Sequence, residues 1–306
     1  MPTATLPDRR TPDRQPAPAA PASAGPARTT PVRATPAARA AATPVTAVPA
    51  AGRAVVARLR GDVHRRPAVD RGLAGGLRAW LEDGVMARAG AVPEGAAPLV
   101  VDGRAGGPRR KAGPGPVTAT VVRGAVVGSL FGQVVLTGRI GNPVEDGLAA
   151  LDAGGRGDLV AFARRLPGPE RRSLEREVRE QAATMAAQWS AVVPGWLPRV
   201  ADRLTVPLAG GRVVLRGRAD LVLGAPSDGR ASVCLVDVRS GDPQPADRRY
   251  RCFLALLETV RSGAPPFRTA TYYPALGDVQ VEEVTDDLLA ATVGDVLDAL
   301  AVEDPT

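Results

Sequence analysis

The chain of 306 residues has little of what most hydrolytic and redox enzymes use. It has one histidine, His64, and one lysine, Lys111. A mechanism that needs two histidines is excluded. A Ser-His-Asp triad would have to use His64, and no G-x-S-x-G nucleophile turn occurs in the chain. Two cysteines, Cys234 and Cys252, cannot by themselves hold a four-cysteine zinc or iron–sulfur centre. They fall in a predicted strand and a predicted helix and read as buried free thiols. No G-x-x-x-x-G-K-(S/T) loop is present, so any ATP-driven partner must be another chain. No run of about 18 apolar residues is found, so no membrane span is predicted. The N-terminus has no apolar core of a secretory signal, and the expected compartment is the cytoplasm. Aromatics are scarce, whereas Ala, Gly, Pro and Arg are abundant.

The formal charge is +7, unevenly spread. Residues 1–50 hold six arginines and two aspartates, which leaves +3 for the other 256 residues. The body of the chain is therefore mildly basic, and attraction to polyanions is allowed but not demanded. Residues 1–52 are Pro, Ala, Thr and Arg without apolar periodicity, the composition of a disordered tail. A second Gly/Pro-rich stretch, Asp102–Val117, contains the basic run Arg109-Arg110-Lys111 and reads as a long exposed loop. These breaks divide the chain into a tail (1–52), a helical extension with its loop (53–116) and a main domain (117–306).

In the extension, Leu73, Leu77, Trp80, Leu81 and Val85 repeat at helical spacing. An apolar, glycine-containing helix is predicted over Val122–Gly138, with short helices at Pro143–Asp152 and Asp158–Arg165. A long helix from Glu170 follows, with Leu174, Val178, Ala182, Met185 and Trp189 on one stripe. Its Glu175, Glu177 and Glu180 lie on other faces and read either as solvated or as supplying one carboxylate to a site. Arg203–Gly224 reads as two strands about a Gly-Gly turn. A strand at Val233–Val238, a helix at Ala246–Arg261, strands at Phe267–Tyr273 and Val279–Glu282 and a closing helix at Asp287–Leu300 complete an α/β pattern with a mixed central sheet.

The segment "VCLVDVRSG" (Val233–Gly241) is the most informative. A short apolar run closed by Ser-Gly is a buried strand, and it ends on Asp237 and Arg239, two residues apart and so on one face. The pair either neutralises itself as a structural unit or belongs to a site. Asp220 ends the preceding strand, where Arg216, Arg218 and Asp220 share a face. A hairpin can bring Asp220 and Asp237 together. Two carboxylates with a backbone carbonyl, here that of Val238, are a usual seat for Mg²⁺.

The order "GRADLVLG…VCLVDVRSG" resembles the core of the PD-(D/E)XK nuclease superfamily, in its RecB-type branch. That branch reads G-x-x-D, a turn, apolar residues and D-x-K-(S/T)-G, then a helix with Gln-x-x-x-Tyr and an apolar strand. Gly217 and Asp220 match the first element; Asp237, Ser240 and Gly241 match the second; "TATYYPALG" (Thr269–Gly277) resembles the last. The resemblance covers about 204–277, with consistent helix order back to about 122. It implies a restriction-endonuclease-like α/β core, a Mg²⁺ site on Asp220, Asp237 and Val238, and DNA as the partner, with a DNA-repair helicase or another protein chain alongside.

Several positions depart from the pattern. The lysine is Arg239, Arg249 and Phe253 stand at the Gln and Tyr positions, and Gly132 stands where many members carry a histidine after "GSLF". His64 is too far upstream to replace it. Arginine is never deprotonated at neutral pH and cannot act as a base; its fork can instead bind carboxylates bidentately and compete with a metal. The implied site is thus Asp220, Asp237 and Arg239, degenerate and weak or inactive, with Arg216, Arg218, Arg248 and Arg249 as candidate DNA contacts and Arg251 beside them on the helix. An active Mg²⁺-dependent nuclease and an interaction module that kept only the fold are the alternatives.

Overall fold

The computed structural model describes residues 50–88, 98–103, 109–110 and 116–301. The expected tail, apart from its last three residues, and Lys111 lie outside them. The chain from Ala47 onward forms one unit.

The protein is α/β: a mixed sheet with helices on both faces. Among the described residues seven strands take part: β1 (Leu99–Asp102), β2 (Arg109–Arg110), β3 (Arg199–Leu208), β4 (Val213–Leu223), β5 (Cys234–Val238), β6 (Arg268–Tyr273) and β7 (Asp278–Glu283). Their order is β2-β1-β4-β5-β6-β7, with β3 also paired to β4. β5 and β6 are parallel and joined by helix α7 (Pro245–Ser262); the β3–β4, β4–β5 and β6–β7 pairs are antiparallel. One face carries α1 (Ala50–Arg60), α3 (Ala119–Thr137), α4 (Pro143–Ala153), α5 (Gly157–Arg165) and α6 (Gly168–Gln188); the other carries α2 (Arg71–Arg88), α7 and α8 (Asp286–Ala301).

Burial explains the sequence pattern. β5 lies between β4 and β6 and is buried along its whole length, so it reads as an unbroken apolar run rather than an alternating one. Cys234, Val236 and Val238 face the α3–α6 layer, while Val233 and Leu235 face α7. Both cysteines are free and buried, and burial pushes the Cys234 thiol up to about 12. α3 starts on a Thr118 side-chain cap and stops at Gly138 in the left-handed conformation. By length and composition α3 could cross a membrane, contrary to the sequence expectation of no such segment. Here it packs within the protein through Val122, Val126, Val127, Leu130, Phe131, Val134 and Val135. Phe131 meets Trp189 edge-on, with ring centroids 4.7 Å apart, and Tyr272 completes the aromatic cluster.

Two expectations are corrected. Asp102 and Arg109-Arg110 are not in a loop: β1 pairs in parallel with Val213–Arg216 of β4, and β2 pairs with β1. The 53–116 stretch thus supplies strands to the same sheet as 117–306. In α2, Leu77, Leu81 and Val85 are buried, but Trp80 is 46% exposed, because the stripe that packs against α7 and α8 is narrower than the apolar periodicity suggests.

β4 is long enough to be shared. β3 follows one of its edges from Val213 to Val222. On the other edge β1 pairs as far as Arg216 and β5 begins pairing at Leu221. The sheet therefore forks at residues 217–220. Opposite the fork, in the β3 register between Val200 and Asp202, Ala201 has φ 55°. Left-handed backbone costs a residue with a Cβ roughly 1–2 kcal/mol. Ala201→Gly is expected to raise unfolding free energy by up to about 1 kcal/mol in denaturant titration, after allowance for the greater unfolded-state freedom of glycine.

Candidate functional site

The fork leaves main-chain groups that no strand can pair, and side chains take over. The Tyr250 hydroxyl, on α7, donates to the Arg218 carbonyl (2.8 Å) and accepts from the Arg218 N–H (3.1 Å). Asp220 Oδ2 accepts from the Val238 N–H at 2.9 Å, and its Oδ1 receives the Arg218 guanidinium at 3.3 Å. Tyr250→Phe is expected to cost about 1 kcal/mol by chemical denaturation, since it deprives two partly buried main-chain groups of one partner.

Beside the fork lies a cavity of about 450 Å³. Its floor is Asp220, Asp237 and Val238; the Arg239–Asp242 turn, Asp247 and Tyr250 form one wall, and α3 forms the other. The α3 wall is thin because glycines face the site: a Cβ on Gly128 would stand 3.7 Å from Asp220 Oδ1, and one on Gly124 3.5 Å from Ser240 Oγ. Gly132, which stands at the histidine position of the motif, faces Val200 instead.

Asp237 is 4% exposed. Arg239 Nε lies 2.5 Å from its Oδ2 and 3.3 Å from Asp247 Oδ1, and the guanidinium stands 4.8 Å from the centre of the Tyr250 ring. The Arg239–Asp237 contact is an ion pair whose N–H is not aligned for a hydrogen bond. Asp247 is itself fixed: it closes a capping box with the Gln244 N–H at 2.9 Å and accepts from the Tyr273 hydroxyl at 3.0 Å. Burial pushes the Asp237 carboxyl well above the ordinary carboxylate range. The Arg239 charge opposes the shift, and the neighbouring Asp220 carboxylate adds to it. Burial alone would weaken Arg239 as a cation, but Asp237, Asp247 and Tyr250 outweigh it and hold the guanidinium firmly protonated. Gln181 of α6 donates to the Ser240 carbonyl at 3.1 Å and pins the turn after Arg239.

Of the sequence-derived site residues, Asp220, Asp237, Val238, Arg239 and Arg218 line the one cavity; Arg216 is exposed on β4 outside it. Arg248 is engaged by Glu282 through two contacts of 3.0 and 2.5 Å, and Arg249 is exposed on the same helix. Arg251, grouped with them as a phosphate contact, is buried and donates to Thr271 at 2.9 Å, so it is a core residue. None of Glu175, Glu177 and Glu180 lines the cavity: Glu175 pairs with Arg179, Glu177 with Arg123 of α3, and Glu180 is exposed. His64 is exposed in a 3₁₀ turn and takes no part in the cavity. Asp247 and Tyr250 were missed. Their signal was the Pro245-Ala246-Asp247 helix start, which places an acid at N3 and an aromatic one turn on, facing the strand just before α7.

The expected Mg²⁺ does not fit this arrangement. Both Asp220 oxygens and Asp237 Oδ2 already face N–H groups or guanidinium. Among the described residues no group of three or more His, Cys, Asp or Glu side chains is disposed to hold a metal ion. No family model matches the chain, and no curated protein matches it.

Proposed function

We propose that the chain is a RecB-type PD-(D/E)XK nuclease-like protein, cytoplasmic, that engages DNA through a restriction-endonuclease-like core whose site no longer cuts. Three features support the reading. The element order around the site is helix, three strands, helix, strand. The G-x-x-D and D-x-R-S-G segments place Asp220 and Asp237 on adjacent strands that open into one cavity. Arg239 stands at the motif's lysine position. The observation that carries the inactive site is the 2.5 Å Arg239–Asp237 pair: a group that can neither accept a proton nor leave the carboxylate free occupies the position where the chemistry would be done.

The cavity is lined by three arginines and four aspartates, so its depth offers a phosphate no net attraction. DNA contact therefore falls to the rim and the exposed strand, to Arg218, Arg216 and Arg249, and binding is expected to be weak and to collapse with salt. A helicase or another protein would supply further affinity. Fluorescence anisotropy with labelled duplex and single-stranded DNA, from low to physiological salt, tests this together with a cleavage assay in Mg²⁺ and Mn²⁺. Salt-sensitive binding without cleavage is the expected result. Cleavage that Asp220→Ala abolishes would replace this reading with an active nuclease. Absence of binding at low salt would leave an interaction module that retained only the fold.

A further inference from the structure

We infer that Arg239 is the resident cation of this site: its guanidinium stands between Asp237 and Asp247 and clamps the end of β5 to the first turns of α7. The clamp rests on distances alone and does not depend on the nuclease-like reading. A cation that organises a site gathers ligands from separate elements, and Arg239 does so. Asp237 comes from the end of β5, Asp247 from the start of α7, and the Tyr250 ring from one helical turn further on, at 2.5, 3.3 and 4.8 Å. Each of the three is anchored a second time. Asp237 sits in the buried strand between β4 and β6, Asp247 holds the Gln244 N–H and the Tyr273 hydroxyl, and Tyr250 bridges the Arg218 main chain at the fork.

Charge balance points the same way. With Arg239 in place, the nearly buried carboxyls of Asp237 and Asp247 have a cation between them; without it, two acids would face one another across a cavity walled by glycine. Arg218 performs the corresponding service for Asp220 at 3.3 Å. An internal cation on a covalent arm costs no binding entropy and cannot be removed by a chelator, so the protein needs no metal to keep the fork closed.

The test is thermal unfolding of the full chain and three variants, Arg239→Ala, Arg239→Met and Arg239→Lys, each alone, with millimolar guanidinium chloride and with millimolar MnCl₂. The wild-type midpoint is expected to be unchanged by either salt and by EDTA. Arg239→Ala should melt lower by about 5–10 °C, and guanidinium, entering the space left behind, should recover a few degrees of that loss. Arg239→Met, neutral but filling the space, should show a deficit that guanidinium does not repair. Arg239→Lys should fall between wild type and alanine. If Arg239→Ala does not fold alone, recovery of its circular dichroism by guanidinium is the readout. The inference is overturned by an alanine variant as stable as wild type, by guanidinium acting no more on alanine than on methionine, or by a wild-type midpoint that Mn²⁺ raises and EDTA lowers. None of these readouts involves DNA, so failure here and failure of the nuclease-like reading are separate results.

Discussion

Asp237→Ala is expected to lower the unfolding free energy by about 3 kcal/mol, the lower end of the range for removing one partner of a buried ion pair. The lower end applies because Arg239 keeps Asp247 at 3.3 Å and is partly exposed, so its charge is not stranded. Asp237→Asn should cost less, since it keeps the shape and an acceptor and gives up a charge that burial already disfavours. The two variants also differ from wild type in their pH dependence. A carboxyl raised in the folded state contributes most stability when protonated in both states, below the ordinary carboxylate pKa of about 4. The contribution is lost as pH climbs through the raised folded value. Asp237→Asn lacks this loss, so its deficit against wild type should be largest in acid and should narrow as pH rises. Urea titrations across the acid-to-neutral range measure it; a deficit that widens with pH would contradict the assigned shift.

The second large effect concerns chemistry. Under the proposed reading, Arg239→Lys changes both things that hold the site shut. A lysine ammonium is a smaller, more strongly hydrated point charge than the guanidinium whose Nε approaches both Asp237 and Asp247, so carboxylate oxygens become available to a divalent ion. It is also a group whose pKa a site can lower, as a guanidinium's cannot be. Calorimetric titration with Mn²⁺ should go from no measurable heat in wild type to binding in the millimolar range, and supercoiled DNA should be nicked slowly by the variant and not by wild type. Asp220→Ala, added to Arg239→Lys, should abolish both. Wild-type cleavage that Arg239→Lys leaves unchanged would make the chain an ordinary member of the resembled family and its arginine a catalytic substitute.

Much of the architecture was legible because burial writes itself into residue choice. β5 announces itself by its unbroken apolar run, the β3–β4 pair by its Gly-Gly turn, and α6 by the spacing that sets Val178, Ala182 and Met185 inward. The strands that failed to announce themselves, β1 and β2, are four and two residues long in or beside a Gly/Pro-rich stretch, too short for a period to show, and β1 takes its place in the sheet from pairing with β4 more than a hundred residues away. Trp80 misled for the opposite reason: helical spacing marks a face as apolar but does not say how wide a neighbour will cover it.

By itself, the sequence determined which chemistry this protein can hold. One histidine, one lysine and two cysteines removed most catalytic centres, and the pattern around Asp220, Asp237 and Arg239 put a carboxylate pair with a guanidinium on neighbouring strands, although Asp220 lies inside β4 at the fork and not at a strand end as expected. It could not determine what those groups touch. That Arg239 reaches Asp247 as well as Asp237, that the Tyr250 hydroxyl bonds the Arg218 main chain, that Gly128 rather than Gly132 faces Asp220, and that Arg251 is buried were decided only when α3 and α7 packed on the two faces of a forked sheet. The physical reason is that side-chain partners across a cavity are fixed by the rotation and register of whole helices. Those are set by the summed packing of many apolar residues far from the site, which no local pattern encodes.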